Sequence, residues 1–442
     1  MLTTEQNATL TQVGPGTLMG NLMRQYWLPA LQSTELAEPD GAPLRLRLLG
    51  ENLVAWRDTS GAVGVMQESC PHRGASLFFG RNEETGLRCV YHGWKFDTSG
   101  ACTDMPNEPA ESNFKHKIHA TAYPAAERGG VIWLYMGPRE TAPSLPAFEP
   151  NMLDNWNVSS IQRECNWLQA LEGDIDTSHL GFLHLGSVKA EDTKPGTFDY
   201  YTVRDRTPSY AVVDTDFGTM YGAYRPAEPD TDYWRLANFL FPCFTMIPTG
   251  VLGLRVGVRA WVPLDDSHTM YWQISSAAGT RLGLSGGART AQGGAFANPD
   301  GYYQPNTSDG LGRWRTSANA GNDYQIDRDE QKNVSFTGIK GIFNQDHAVT
   351  ESMGPTTDRT KEHLGSADLM IIRTRARMLA AARALAERDI APPGVDEPEV
   401  FSVRSGSVFL PKNAHWLNDT EELRKAFVTH PEIAAQAEAG RF

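Results

Sequence analysis

Two cysteines and two histidines near positions 70 and 90 have the types and the spacing of a metal-binding motif. Cys70 and His72 precede Cys89 and His92, and sixteen residues separate His72 from Cys89, which gives the pattern C-x-H-x16-C-x2-H. Such ligands bind either tetrahedral zinc or a [2Fe–2S] cluster in which two histidines replace two cysteines on one iron. Zinc fingers usually pair Cys with Cys and His with His, whereas each short segment here supplies one of each. The order of the ligands therefore favours the cluster over zinc.

Two further histidines, His179 and His184, lie in a segment with the apolar rhythm of a helix. Two His and one carboxylate on one side of an iron, with positions left open for oxygen, form the facial triad of mononuclear Fe(II) enzymes. On a regular helix, residues five apart point about 140° away from each other. The segment must therefore bend, and Gly181 offers the place, if both histidines are to reach one metal. Because this pair follows the motif of a one-electron carrier, it predicts an iron that accepts those electrons.

The third ligand of such an iron must be a carboxylate from elsewhere in the chain. Asp346 precedes a polar stretch and is one candidate. Spacing alone does not separate it from Asp358 or Asp368, and each of the three could be an ordinary surface carboxylate. The residues themselves therefore leave the third ligand open.

Asp176 lies three residues before His179, which on a helix places the two side chains on the same face. A carboxylate there can accept a hydrogen bond from the ring N–H that a ligating histidine does not use for the metal. The alternative, for Asp176 and for Asp174, is a charge that only stabilises the start of a helix. We expect Asp176 rather than Asp174 to act at the iron site.

The motif at positions 70–92 follows short strands. Leu44, Leu46 and Leu48 alternate with Arg45 and Arg47, which is the period of a half-buried strand. Turn residues then separate two more predicted strands, 53–56 and 63–66, and another is predicted at 131–135. The region from about 40 to 140 is therefore predicted to be a small antiparallel β-domain.

The pattern changes after a proline-rich stretch at 138–150, which is typical of a linker. Aromatic-rich strands are predicted within 199–275, a long loop at 278–325 and a helix at 369–388. The predicted fold class is α+β, in which a small N-terminal antiparallel β-domain precedes a part of the chain that combines strands with helices. The predicted domains are residues 1–150, including an N-terminal extension, and residues 151–442.

Composition excludes several other classes of protein. The chain has 442 residues, of which 40% are hydrophobic, and a formal net charge of −13, which is unfavourable for binding nucleic acid. No apolar run approaches the roughly 20 residues of a membrane helix, and no signal peptide is recognisable at the start. Five cysteines, an odd number spread thinly, argue against a disulfide framework. We therefore expect a cytoplasmic protein that acts neither on nucleic acid nor in a membrane.

The two metal motifs in this order resemble the oxygenase (α) component of Rieske non-haem iron oxygenases. The residues in and around the motifs are similar to those of the phthalate-dioxygenase branch. The matching segments are Asp176-x2-His179-x4-His184, Asn344-Gln345-Asp346, Thr350 to Gly354 and Asp358 to Gly365. The resemblance covers roughly residues 12–375. It implies an N-terminal Rieske antiparallel β-domain and a C-terminal catalytic domain in which helices flank an antiparallel sheet. It implies a Rieske [2Fe–2S] cluster on Cys70, His72, Cys89 and His92, and a mononuclear Fe(II) on His179 and His184 with Asp346 as third ligand.

The resemblance also implies an assembly. In this family three subunits meet head to tail, as α3 trimers or stacked α6 hexamers, so that the cluster of one chain faces the iron of its neighbour. Asp176 would then bridge the two centres by reaching a Rieske histidine, His92, across the interface.

The implied reaction uses O2 and electrons from a separate flavin- or ferredoxin-type reductase to hydroxylate a small aromatic carboxylate, phthalate-like. NAD(P)H would act only through that reductase, because the sequence contains no dinucleotide fingerprint in a strand–turn–helix context. An arginine is suited to the substrate carboxylate, since its planar fork donates two charge-assisted hydrogen bonds. Arg206 is the first candidate and Arg235 the second, with a surface salt bridge to Asp205 or Asp214 as the alternative role.

Other functions remain open on the sequence. Within the branch, the chain could be an O-demethylase or an ether-cleaving monooxygenase of a methoxylated biaryl or phenoxy acid. A Rieske electron carrier without catalysis needs only about a hundred residues and leaves most of the chain unexplained. Six basic residues of the first domain could dock an acidic reductase or be ordinary solvated charges: Arg73, Arg81, Arg88, Lys95, Lys115 and Lys117.

Overall fold

The computed structural model describes residues 2–109, 111–254, 256–276 and 301–438. The Gly-rich stretch 282–294, and with it much of the predicted loop, lies outside these residues. The helices are α1 (Thr4–Thr11), α2 (Leu18–Met23), α3 (Glu149–Met152), α4 (Trp167–Asp174), α5 (Phe198–Arg204), α6 (Arg328–Asn333), α7 (Ile342–Glu351), α8 (Leu369–Arg388), α9 (Trp416–Asp419) and α10 (Pro431–Glu438).

The strands of the first part of the chain are short. They are β1 (Trp27–Gln32), β2 (Leu44–Leu48), β3 (Glu51–Arg57), β4 (Val63–Gln67), β5 (Arg81–Glu83), β6 (Gly86–Arg88), β7 (Lys95–Phe96), β8 (Cys102–Asp104), β9 (Ala125–Arg128) and β10 (Val131–Tyr135). The predicted meander is present as the sheet β2–β3–β4, and β5 to β8 form a second small sheet, both antiparallel. These two sheets enclose a separate small core that includes Trp56, Phe96 and the two motif cysteines. The predicted small antiparallel β-domain is therefore confirmed.

The second part of the chain is built on one large sheet. Its strands are β11 (Trp156–Arg163), β12 (Ser209–Thr215), β13 (Gly218–Pro226), β14 (Thr231–Leu240), β15 (Phe244–Met246), β16 (Gly257–Pro263), β17 (Thr269–Ser276) and β18 (Gly406–Pro411). The order is β11–β17–β16–β15–β14–β13–β12, antiparallel throughout, and β18 pairs with β14. Helices α4 and α7 lie beside this sheet, and the fold class is the predicted α+β.

The main hydrophobic core includes residues from both parts of the chain. Strand β1 pairs with β10, and β10 pairs with β9, in a three-stranded sheet. Buried residues of that sheet, such as Trp133, share one core with Phe148 of the proline-rich stretch and Phe244 of the large sheet. The predicted domain boundary at residue 150 stays a prediction.

Two sequence predictions outside the sites have clear outcomes. Helix α8 has the predicted bounds. In the part of the predicted loop that the structure describes, Tyr302 and Tyr324 are buried and Tyr303 and Trp314 pack on the main core, so this part lies against the protein as expected. None of the helices that the structure describes combines the length and the apolar character that a membrane span requires.

Helix α4, which leads into the histidine pair, is held by a buried ion-pair network. Glu172 accepts hydrogen bonds from Arg375 at 2.5 and 2.8 Å and from Arg359 at 3.2 Å, and Arg375 also pairs with Glu362. Burial alone would raise the pKa of Glu172, but the charges of Arg359 and Arg375 outweigh burial and lower it. The network fixes α4 against α8.

Replacing Glu172 with glutamine is expected to destabilise the fold strongly, because it leaves two buried guanidinium groups without their shared carboxylate. The expected loss is about 3–5 kcal/mol of the free energy of unfolding, measured by denaturant unfolding. Asp214→Asn is the matched control, since Asp214 pairs with Arg373 at the surface and such pairs contribute about 1 kcal/mol or less. Equal effects of the two substitutions would contradict a structural role for this network.

Candidate metal centres

The two Cys/His segments fold into loops with the same backbone hydrogen bonds. The N–H of Cys70 donates to Ala75 O at 2.8 Å, and the N–H of Cys89 donates to Trp94 O at 2.8 Å. The glycine four residues after each cysteine, Gly74 or Gly93, donates back to that cysteine's carbonyl and has a φ near +80°. A positive φ of this kind favours glycine, because a Cβ would clash. The sequence thus builds two matching loops, each presenting one sulfur and one imidazole.

The four side chains pair by element, sulfur with sulfur and nitrogen with nitrogen. Cys70 and Cys89 are both buried in the small core, and burial, with a further contribution from Cys89, raises the pKa of Cys70 to about 11. The rings of His72 and His92 lie 4.4 Å apart, and His72 stacks on Trp94 at 4.3 Å. Separate sulfur and nitrogen pairs fit the two irons of a Rieske cluster, one with two cysteines and one with two histidines.

Zinc would need all four donor atoms to converge on one point. Among the residues that the structure describes, the one set of three or more such ligand atoms within 4.8 Å of one another is elsewhere, at His179, His184 and Asp346. The arrangement around Cys70 and Cys89 therefore fits the [2Fe–2S] cluster and does not fit a tetrahedral zinc.

The second site forms where the helical rhythm ends. Helix α4 stops at Asp174, and His179 to Gly181 form a single 3₁₀ turn, so the segment 165–185 is only partly the regular helix that its pattern indicates. This break brings the rings of His179 and His184 to 5.1 Å between centroids. The segment leaves the helix as the pair of histidines requires, but it does so after Asp174 and not at Gly181, where the sequence placed the break.

Asp346, from the middle of α7, completes this group. Its Oδ1 lies 3.2 Å from His184 Nε2 and 3.8 Å from His179 Nε2. Two ligands at right angles around a metal about 2.1 Å away lie about 3 Å apart, so the three atoms are spaced for one ion. The structure does not bring Asp358 or Asp368 into this group. The donor set fits the Fe(II) facial triad.

Each histidine has a partner for the ring nitrogen that faces away from Asp346. Asp176 Oδ2 lies 3.4 Å from His179 Nδ1, and Gln345 Oε1 lies 2.7 Å from His184 Nδ1. Asp176 also accepts the N–H of Ser178 at 2.7 Å and belongs to a turn rather than to a helical face. The expected contact of Asp176 with His179 is present, but a turn and not a helix produces it.

The electrostatics of the group suit a cation. Burial would raise the pKa of Asp346, but the hydrogen bond and charge of His184 and the charge of His179 lower it to about 2. Burial would lower the pKa of His179, but Asp176 and Asp346 outweigh burial and raise it. Asp174 is engaged elsewhere, since it accepts hydrogen bonds from Arg259, Thr245 and Trp261.

Arginines contact the loop that carries the two histidines. The aliphatic part of Arg206 packs beside Gly181, and its guanidinium lies 5.0 Å from the ring centroid of Phe182. Arg235 is 3% exposed and donates from Nε to Thr177 Oγ1 at 3.1 Å. Among the described residues, no ion pair joins Arg206 or Arg235 to Asp205 or Asp214, which was the alternative role, and Asp214 pairs with Arg373 instead.

Arg225, which sequence reasoning missed, is buried on the same face of the sheet as Arg235. The register of β13 and β14 pairs Ala223 with Arg235 and Arg225 with Tyr233, so the two arginines lie diagonally across adjacent strands. Burial, and then the charge of Arg235, lowers the pKa of Arg225 to about 10. A positive residue at an inward position of an otherwise apolar strand was the available signal. Gln345 was missed as well, although it stands next to Asp346 in the sequence.

Half of the six basic residues considered for docking a reductase are used in ion pairs. Arg88 pairs with Glu83 and Asp104, Arg81 with Glu83, and Lys95 with Glu84. Among the ion pairs of the described residues, none includes Arg73, Lys115 or Lys117. Those three remain candidates for the docking surface.

Comparison with known proteins identifies the families that the two parts of the chain match. Residues 26–124 match the family described as the Rieske [2Fe-2S] domain, and residues 134–437 match the family described as LigXa C-terminal domain like. The oxygenase subunit of 3-chlorobenzoate-3,4-dioxygenase from Comamonas testosteroni is 48% identical over 94% of this chain and 97% of its own length. The oxygenase subunit of phthalate 4,5-dioxygenase from Pseudomonas putida is 38% identical over 87% of each chain. A crystal structure of dicamba monooxygenase bound to dicamba has the same fold, with a TM-score of 0.56 at 18% identity, covering 83% of this chain and 100% of that one.

Proposed function

Since this chain belongs to the Rieske non-haem iron oxygenases as a terminal oxygenase subunit, we propose that its substrate is an aromatic carboxylate, which it hydroxylates with O2. The relatives at 48% and 38% identity are named for 3-chlorobenzoate and phthalate. Both compounds are benzene rings with a carboxylate. The names support a benzoate-type substrate, and the arrangement of charge beside the iron ligands supports it independently.

The observation that carries the proposal is an excess of buried positive charge beside the histidine loop. Arg225 and Arg235 are 1% and 3% exposed, and no carboxylate of the described residues lies within ion-pair distance of either, or of Arg206. The Nη1 of Arg225 and the Nε of Arg206 are buried and lack a hydrogen-bond partner among the described residues. Uncompensated buried cations are costly, so the site favours an anion. A substrate carboxylate supplies that charge.

The chain's own residues position the reaction. When bound, the two metal centres supply one-electron transfer and O2 activation. His179, His184 and Asp346 would hold the iron, and three protein ligands of this kind leave further positions open for other ligands. Asp176 would orient the imidazole of His179, and Arg206 would bind the substrate carboxylate.

We infer a head-to-tail trimer from the surfaces around both centres. Val90 and Tyr91, beside the cluster loop, are 57% and 55% exposed, and Phe182 and Phe336, beside the iron ligands, are 51% and 52% exposed. Exposed apolar side chains in groups mark interaction sites. Apposition of the two surfaces would bury both and bring His92 of one chain to Asp176 of the next. Asp176 is 25% exposed in its side chain and is able to accept that hydrogen bond.

We propose that electrons come from a separate reductase of the flavin or ferredoxin type, since the sequence contains no dinucleotide fingerprint in a strand–turn–helix context. Arg73, Lys115 and Lys117 lie on the Rieske domain without an ion pair and give its surface a local positive charge for an acidic partner. Substituting all three with glutamine should slow the reduction of the cluster at low salt more than at high salt.

The carboxylate proposal predicts a selective effect of Arg206→Met. A charge-assisted pair of this kind contributes about 1.5–3 kcal/mol, so the apparent KM for an acid substrate should rise about ten- to a hundredfold. The KM for its methyl ester should change little. Steady-state kinetics with one acid and ester pair measures this difference.

Arg204→Met is the matched control for Arg206→Met. Arg204 is two residues away and exposed, and it lies over Tyr200 and donates to Thr193. Arg204→Met should leave the ratio of the KM for the acid to the KM for the ester unchanged. If Arg206→Met raised the KM for the acid and for the ester equally, Arg206 would not be the residue that binds the carboxylate.

The proposed function itself is tested by turnover with a matched reductase against benzoates, phthalates, methoxylated acids and neutral arenes, with products identified by mass. A cis-diol or hydroxylated product from an acid is expected. A demethylated product would instead favour the O-demethylase alternative, and a preference for neutral arenes would contradict the proposal.

A further inference from the structure

The hydrogen bonds of Gln345 are sufficient to assign which end of its side-chain amide is the oxygen and which is the NH₂ group. Its Nε2 donates to Ile339 O at 2.9 Å, and its Oε1 lies 2.7 Å from His184 Nδ1. A backbone carbonyl only accepts hydrogen bonds, so the atom facing Ile339 must be the NH₂ group. The atom facing His184 is therefore the oxygen, which also only accepts.

This orientation determines the tautomer of His184. Because Gln345 Oε1 accepts, Nδ1 of His184 must carry the proton. In a neutral imidazole, the form that binds a metal, the lone pair then lies on Nε2, which is the atom 3.2 Å from Asp346 Oδ1. The ring nitrogen that faces away from Gln345 is thus the one that points at the Asp346 carboxylate. The His184 side chain is only 3% exposed, so water does not readily substitute for Gln345.

We propose that Gln345 is a positioning residue that holds His184 in its iron-binding tautomer and orientation through a neutral acceptor. The inference rests on the proposed iron ligation by His179, His184 and Asp346. The two histidines then have unlike supports, since His179 has the carboxylate of Asp176 and His184 has an uncharged amide. Two carboxylates, Asp176 and Asp346, already lie at the site, and a neutral third group adds no further negative charge.

The position of Gln345 on helix α7 explains how it can orient His184. Gln345 and Asp346 are adjacent in α7, so the residue that supplies the carboxylate ligand is joined directly to the one that orients His184. The Ile339 carbonyl that anchors Gln345 lies just before the helix begins at Ile342. A shift of α7 would therefore move the ligand and the support together.

The test compares two substitutions at one position. Gln345→Leu removes both the acceptor for His184 and the donor to Ile339, whereas Gln345→Glu removes the donor and keeps an acceptor. Loss of such a support typically weakens metal binding about 10- to 100-fold. We expect Gln345→Leu to weaken Fe(II) binding by about that factor, and Gln345→Glu to bind iron at least as tightly as the wild-type protein. The measurement is the retention of iron against a chelator under anaerobic conditions, which does not depend on turnover.

Asn344→Leu is the matched control. Asn344 anchors the same helix turn, since its Nδ2 donates to Lys340 O at 3.1 Å. Among the hydrogen bonds of the described residues, none joins Asn344 to His179 or His184. It should retain iron within about threefold of the wild-type protein. The brown colour of the cluster and the melting temperature report whether each variant folds.

Three results would overturn the inference. Gln345→Leu could hold iron as tightly as the wild-type protein, Gln345→Leu and Gln345→Glu could lose it equally, or Asn344→Leu could lose it as well. The second and third results would assign the effect to the anchoring of α7. His184→Ala serves as a separate check, because retention of the mononuclear iron in that variant would reject the proposed ligands themselves rather than the role of Gln345.

Discussion

Replacing His179 with alanine is expected to remove the mononuclear iron and abolish oxygenation, while the protein keeps the brown colour of its cluster. His179 supplies one of three ligand atoms spaced for a single ion, and two ligands do not retain iron against dilution. The cluster ligands lie on other loops, and the two cysteines among them belong to the separate small core. Iron per chain should fall from near three to near two, and the visible spectrum should stay unchanged.

His363→Ala is the control for His179→Ala, because His363 is an exposed histidine of the same part of the chain. It should keep nearly three irons per chain and full turnover. Loss of the brown colour in His179→Ala, with the fold intact, would mean that the two metal sites are not separate.

Asp176→Asn is expected to leave both centres loaded and to reduce turnover by at least on the order of 100-fold. The substitution keeps the size of the side chain and its contact with Ser178, but it removes the negative charge facing His179 Nδ1 and the proposed contact with His92 of the next chain. The diagnostic measurement is a single turnover, in which the reduced cluster is mixed with O2 and substrate and its reoxidation is followed by absorbance. Reoxidation at the wild-type rate would reject the bridge.

Asp174→Asn separates bridging from simple structural support. Asp174 is buried among Arg259, Thr245 and Trp261, so this substitution should lower the melting temperature. Chains that remain folded should still reoxidise the cluster at nearly the wild-type rate.

Coexpression of Cys89→Ala with His179→Ala adds a test of the assembly, since two inactive chains should regain partial turnover only if electrons cross between subunits.

The sequence was sufficient for the parts of the structure that depend on local pattern. The strands at 44–48 and 63–67 follow from alternation, and the helix 369–388 follows from its apolar rhythm and the prolines beyond it. The eight donor and support residues of the two centres other than Gln345 follow from ligand chemistry and, for Asp346 and the bridge, from the family resemblance. Their assignment as ligands stays a prediction that the iron counts will decide.

What could not be predicted depends on contacts between distant segments. A helical rhythm continues to Leu185, yet α4 ends at Asp174, because the buried carboxylate of Asp174 is satisfied there by Arg259 and Thr245 from other strands. Arg225 and Arg235 come to lie close together, as one buried group of positive charge, only through the register of β13 with β14. The role of Gln345 requires knowing that Ile339 O and His184 lie on opposite sides of its amide.

The attachment of the N-terminal helix has a consequence for how the chain folds during synthesis. Helix α1 is held by residues far along the chain, since Asn7 donates to Thr357 O across 350 positions and Val13 donates its N–H to Asp266. At translation rates of about 5–20 residues per second, Asn7 must wait roughly 20 to 70 s for its partner to be made. The small core around Cys70 and Cys89 needs only residues 54–120 and can close much earlier. The small core can therefore close while the N-terminal helix is still without its partners, and α1 can take its native position only after residues 266 and 357 have been made.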